Sequence, residues 1–258
     1  MARTIAIVNQ KGGVGKTTTA VNLGAYLAWL GKFVLLADID PQANATSGVG
    51  VNPNELDRGI YHALIDESTS FREIIKGTGH QGYKVAPATP DLAGARVELV
   101  NLENREYLLK EKLMEVQNDY DYIIIDCPPS LDLLTINGLV AADDVLIPVQ
   151  AEYLALEGLG QLVNTIDLIK DNLKPELRVL GALVTLYDRR NRISAQVLNE
   201  LRQHFPERLF NTIVPRNVRL TEAPSFGQTI LSYDPRSAGG KAYESLAREI
   251  IEQENYII

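Results

Sequence analysis

Gln10-Lys11-Gly12-Gly13-Val14-Gly15-Lys16-Thr17-Thr18 follows a short apolar run, Ile5-Ala6-Ile7-Val8, and precedes a segment with helical apolar spacing. Glycines at 12, 13 and 15 let the backbone turn tightly with its N–H groups pointing inward, and a helix starting directly afterwards sets its positive N-terminal end under the same point. The stretch reads as a phosphate-binding loop. Lys11, Gly12, Gly13, Val14, Gly15, Lys16, Thr17 and Thr18 are expected to wrap the phosphates of ATP, with Lys16 on the β- and γ-phosphates and the Thr17 hydroxyl on Mg²⁺. The general pattern G-x-x-x-x-G-K-[ST] is not met in its strict form, because Gln10 stands where its first glycine should be. Instead there is a second lysine, Lys11, at the loop entrance. Lys16 already serves the bound phosphates, so Lys11 is free to reach a nucleotide held by a facing subunit.

Outward from the loop, residues 17–30 carry Val21, Leu23, Leu27 and Leu30 at helical spacing, with Gly31 as a C-terminal stop. Trp29 is expected to fill core or interface. Residues 33–37 form a continuous apolar strand of the buried parallel kind that ends in Asp38-Ile39-Asp40-Pro41-Gln42. Carboxylates at the C-terminal end of such a strand lie on the rim where open α/β sheets bind ligands, and alternation sends Asp38 and Asp40 to one side. Either one is placed to approach the γ-phosphate. Tyr122-Ile123-Ile124-Ile125-Asp126 repeats the arrangement and is broken at once by Cys127-Pro128-Pro129, a Walker B pattern in which Asp126 holds Mg²⁺ directly or through water. Pro128, Pro129 and Ser130 fit a segment that senses the γ-phosphate, and Cys127 reads as a small buried residue.

Further strands are expected at 83–86, 145–149 and 178–186. Short helices are expected at 59–65 and 71–75, one long helix over 91–118, and others over 152–172, 193–205 and 243–251, with Gly239-Gly240-Lys241 a turn into the last. Strand and helix alternate with no linker or composition break. The expectation is an α/β fold, residues 1–258 as a single doubly wound domain with a mostly parallel sheet flanked by helices. A lone cysteine suits a reducing cytosol, no run of about 18 apolar residues offers a membrane span, and His62, His80 and His204 share no metal spacing.

The net charge of −8 argues against a protein that coats nucleic acid over its whole surface. The distribution is uneven, however: residues 1–180 hold 15 Lys+Arg against 24 Asp+Glu, whereas 181–258 hold 10 against 9, and all but one of those ten cations are Arg. Asp188-Arg189-Arg190-Asn191-Arg192 concentrates three of them between a strand and a helix, as either a solvated loop or an anion-binding patch.

Four motifs in order, the two-lysine loop, D-x-D-P-Q at 38–42, the 122–126 strand and Val214-Pro215-Arg216-Asn217, resemble the deviant Walker A ATPases of the ParA/MinD class. The stretches from Val218 to Gly227 and from Tyr233 to Ser237 are similar to Soj-type ParA proteins of the short class, those without an N-terminal helix-turn-helix extension. The resemblance implies a P-loop NTPase in which Lys11 crosses a dimer interface, Lys16 and Asp40 act in hydrolysis with Asp40 orienting the water, and Pro215 and Asn217 edge the adenine. It also implies an ATP-dependent homodimer that binds double-stranded DNA non-specifically, with Arg190 the best-matched contact and Arg189 and Arg192 beside it. A ParB-type partner would stimulate slow hydrolysis during chromosome or plasmid segregation, in the cytoplasm on the nucleoid. Alternatives are a ParA relative positioning another cargo and, further off, a MinD-like membrane ATPase. The latter needs a basic amphipathic C-terminal helix, whereas Glu249, Glu252 and Glu254 crowd this end and Tyr256-Ile257-Ile258 is too short.

Overall fold

The computed structural model describes residues 1–152, 155–205 and 209–254, with the backbone alone at 155–157 and 204. The side chain of His204 and residues 256–258 therefore lie outside the described residues. Strands β1 (Arg3–Ile7), β2 (Val34–Asp38), β3 (Lys76–Gly77), β4 (Tyr83–Ala86), β5 (Tyr122–Asp126), β6 (Asp144–Gln150), β7 (Arg178–Tyr187) and β8 (Leu209–Pro215) make one sheet in the order β3-β4-β2-β5-β1-β6-β7-β8. Every pairing is parallel except that of β3 with β4. Parallel strands covered on both faces need apolar side chains on both, which is why these segments read as continuous runs. In β5, Ile123 and Ile125 enter one core while Tyr122 and Ile124 enter the other.

One face is covered by α1 (Lys16–Trp29), α2 (Asn44–Gly48) and three helices of the C-terminal region. The opposite face takes α3 (Ile60–Ile65), α4 (Phe71–Ile74), α5 (Leu92–Glu98), α6 (Leu108–Met114), α7 (Leu133–Ala141), α8 (Ala155–Asn172) and α9 (Arg192–His204). The three C-terminal helices beside α1 are α10 (Val218–Glu222), α11 (Ile230–Tyr233) and α12 (Ala238–Glu254). The chain winds from β1 toward β2 and β4, then adds β6 to β8 on the other side. Winding thus reverses at β1, and the loop after it opens at the strands' C-terminal edge.

Four expectations need correction. The pattern over 91–118 is broken into α5 and α6, because the α7 side chain Asn137 accepts from Leu109 N–H at 3.0 Å and donates to Arg105 C=O at 2.7 Å, while Asn104 turns with φ 50°. Gly239 and Gly240 lie inside α12 and not in a turn before it: a Cβ on Gly239 would meet Leu220 at 2.6 Å. Trp29 is 54% exposed and so is not core, which leaves the interface half of that expectation standing, with its ring edge-on to Tyr26 and under the Arg248 guanidinium. Glu152 precedes α8 and does not open it.

Candidate nucleotide site

The loop after β1 turns through φ 75° at Gly13 and 90° at Gly15, where a side chain would be strained. It is stapled to the sheet from below. Thr185 Oγ1 of β7 donates to Val14 C=O at 2.7 Å, Asn9 Nδ2 donates to Pro148 C=O of β6 at 2.7 Å, and Asn9 Oδ1 accepts the Lys11 N–H at 2.9 Å. Lys16, 6% exposed, reaches back to donate to Lys11 C=O at 3.1 Å, so its ammonium spans the loop it starts beneath. Burial pushes this amine below its ordinary pKa, with the charges of Asp126 and Asp40 pulling the other way.

Three aspartates stand at or just beyond the ends of β2 and β5, and the charges of two of them, Asp126 and Asp40, act on this lysine. Asp38 is fully buried and fully engaged, accepting from Thr46 N–H at 2.8 Å, Thr46 Oγ1 at 2.7 Å and Asp40 N–H at 3.2 Å. Burial pushes its carboxyl up to about 6 against those hydrogen bonds. It braces the segment after β2 and does not face the cleft. Asp40 does: it lines the cleft and accepts from Gln42 N–H at 3.0 Å. Asp126 is fully buried, and neither of its carboxylate oxygens has a hydrogen-bond partner among the described residues. Burial first, then the charges of Asp38 and Asp40, hold its carboxyl well above the usual range, with the Thr17 hydroxyl acting in the opposite sense. An orphaned buried carboxylate beside a threonine hydroxyl is a hard oxygen donor set, and it fits Mg²⁺.

The cleft above these groups is about 510 Å³ and is lined by Gly12, Gly13, Gly15, Lys16, Thr17, Thr18, Asp40, Gln42, Asn44, Pro129, Thr185, Asn217, Thr221 and Tyr243, among others. Val14 is buried beneath it. Of the two residues expected at the adenine edge, Asn217 lines the cleft. Pro215 does not, because strand alternation turns Val214 inward and sends Pro215 to a separate hollow beside Arg189 and Lys241. Lys11 also stands outside: its ammonium is half exposed, 2.7 Å from Glu152 Oε2. Thr185 and Tyr243 escaped the sequence reading. Thr185 left a signal as a polar residue inside an apolar strand, whereas Tyr243, hydrogen-bonded to Thr19 Oγ1 at 3.1 Å, left none.

Farther along the same edge, Arg189, Arg190 and Arg192 are exposed at the start of α9, which Asn191 caps. Arg190 forks onto Asp188 at 3.0 and 3.1 Å and holds that carboxyl down at about 2. Arg189 and Arg192 have no ion pair among the described residues. His62 accepts from Gly59 N–H and His80 is hydrogen-bonded to Thr229, both structural roles.

A family profile described as an AAA domain matches residues 2–179. The sporulation initiation inhibitor protein Soj of Bacillus subtilis (strain 168) is 53% identical over 250 residues, which is 97% of this chain and 98% of that protein. The chain belongs to the ParA/Soj family of P-loop ATPases. It hydrolyses ATP with Mg²⁺ as cofactor. The chromosome partitioning protein ParA of Myxococcus xanthus (strain DK1622) is 52% identical over 254 residues, 98% of this chain and 89% of that one. Among solved structures, the cobyrinic acid a,c-diamide synthase of Mycobacterium smegmatis with bound ADP and magnesium superposes with a TM-score of 0.87 at 37% identity, over 99% of this chain and 96% of that one. The higher identity to the partitioning relatives places the chain with the ParA/Soj proteins. No described helix is long and apolar enough to cross a membrane.

Proposed function

We propose that this ParA/Soj ATPase is a nucleotide-gated dimer that holds DNA while it holds ATP. The observation that carries the reading is the division of labour between the two lysines. Lys16 is buried over its own loop, while Lys11 sits half exposed outside the cleft and is able to serve a phosphate bound by a second copy. Thr17 and Asp126 would hold Mg²⁺, which would supply charge neutralisation at the phosphates. Backbone N–H groups from residues 12–18 would bind the phosphates, Asn217 would edge the base, and Asp40 would orient the attacking water.

A dimer held by two nucleotides gains interface contacts that last only while the γ-phosphate stays, so hydrolysis removes them. Each copy brings Arg189, Arg190 and Arg192, and pairing the patches doubles the phosphates neutralised. A ParB-type partner that accelerates hydrolysis would release the dimer from DNA, and chromosome or plasmid segregation is the setting that fits this cycle.

Sedimentation with ATP tests the reading. Asp40→Ala should bind ATP, persist as a dimer and lose turnover by roughly 100-fold or more. Lys11→Ala should bind ATP and stay monomeric. Dimerisation of the Lys11 variant at the wild-type concentration would remove Lys11 from the interface and take the proposal's main support with it.

A further inference from the structure

Lys11 is tied at both ends to the strand next to its own. At the backbone, its N–H donates to Asn9 Oδ1 at 2.9 Å, and Asn9 in turn donates to Pro148 C=O of β6. At the tip, its ammonium contacts the carboxylate of Glu152, just beyond the end of β6, at 2.7 Å. That carboxylate is itself oriented: Gln150, the last residue of β6, donates its side-chain amide to Glu152 Oε1, and the Glu152 N–H donates to Gln150 C=O at 2.8 Å. Glu152 thus offers one oxygen to Gln150 and the other to Lys11.

We infer that Glu152 is a positioning residue that parks Lys11 within its own subunit, and that release of this contact helps set the protein concentration at which the ATP-bound dimer forms. The inference rests on the reading of Lys11 as the residue that crosses to the partner's nucleotide. The ammonium sits at the end of one flexible stem, so reaching a phosphate on a facing subunit exchanges the Glu152 carboxylate for a phosphate oxygen. Both side chains are about half exposed, so the parked state is a bias and not a lock. An exposed ion pair shifts an equilibrium by roughly 1.4- to 5-fold. A two-fold dimer releases two of them, and the square of that factor is roughly 2- to 25-fold.

The test is sedimentation equilibrium with a non-hydrolysable ATP analogue on wild type, Glu152→Gln and Gln150→Leu, at low and at high KCl. Glu152→Gln keeps the side chain's shape and removes its charge, so its dimer should form at roughly 2- to 25-fold lower protein concentration at low salt. The gap should close as KCl rises from about 50 to about 300 mM, because exposed charges are screened over that range. Gln150→Leu removes only the orienting amide and should shift the midpoint in the same direction by less. A purely structural loss would lower the melting temperature and leave a gap that salt does not close. Equal midpoints at low salt, or a Glu152→Gln chain that needs more protein to dimerise, would overturn the inference. A wild-type chain that never dimerises with the analogue would overturn the Lys11 reading itself, and this inference with it.

Discussion

Asp126 and Asp38 are buried to the same degree and differ in what reaches them. Asp38 has three donors, and Asp126 has none for either oxygen among the described residues. In the nucleotide-free chain both carboxyls are raised, so the folded state binds more protons than the unfolded one above about pH 4 and stability falls as pH rises. For Asp38 the window runs from 3.8 to about 6, which corresponds to a loss on the order of 3 kcal/mol. Asp126 extends the loss to higher pH in the same sense. Urea denaturation of the nucleotide-free protein should therefore show less stability near pH 7 than near pH 5, and Asp126→Asn should flatten the difference while abolishing Mg²⁺-dependent turnover. Mg²⁺ with nucleotide favours the ionised carboxylate, so the stabilisation it gives should be larger near pH 7 than near pH 5. An Asp126→Asn chain with an unchanged pH profile would contradict this account of the site.

At the scale of elements, the short helix α2 hangs on one side chain. Thr46 Oγ1 donates to Asp38 and accepts the Ala88 N–H at 3.0 Å, so one hydroxyl joins β2, α2 and the segment after β4. Thr46→Val keeps the shape and leaves both partners short of a hydrogen bond, which should cost about 2–4 kcal/mol in urea denaturation and reduce ATP turnover by displacing Asp40. A cost below about 1 kcal/mol would mean that water replaces the hydroxyl. None of this was legible in the chain, because Thr46 is polar in a polar stretch and its role appears only when β2 and β4 lie side by side. What was legible was set locally: apolar strands ending in Asp38 and Asp126, and glycines whose positive φ the turn demands. Local periodicity failed where a distant side chain intervened, as Asn137 does between α5 and α6. It failed again where a glycine was needed for contact and not for a turn, as Gly239 is against Leu220. Lys11 was read from the loop alone, but its partner Glu152 comes from the far side of β1, and a strand order with β6 beside β1 is not written in any one motif.

Across the whole molecule, an acidic body carries Arg189, Arg190 and Arg192 on the edge that also holds the cleft. The forked Arg190–Asp188 pair leaves Arg190 partly neutralised, whereas Arg189 and Arg192 have no carboxylate among the described residues. Arg190→Glu places two carboxylates together and should cost DNA retention while sparing ATP-dependent dimerisation. Asp188→Asn frees the guanidinium and should strengthen retention, steepening the salt dependence by up to about 0.9 per added phosphate contact. Unaltered retention in both variants would move the contact surface elsewhere. The most direct measurement is binding to unrelated DNA duplexes across a salt series with ATP, ADP or no nucleotide, with the oligomeric state followed in parallel. Tight, sequence-indifferent, salt-sensitive binding should be found with the ATP dimer alone. An ATP dimer that ignores DNA, or equal binding in all three nucleotide states, would contradict that expectation.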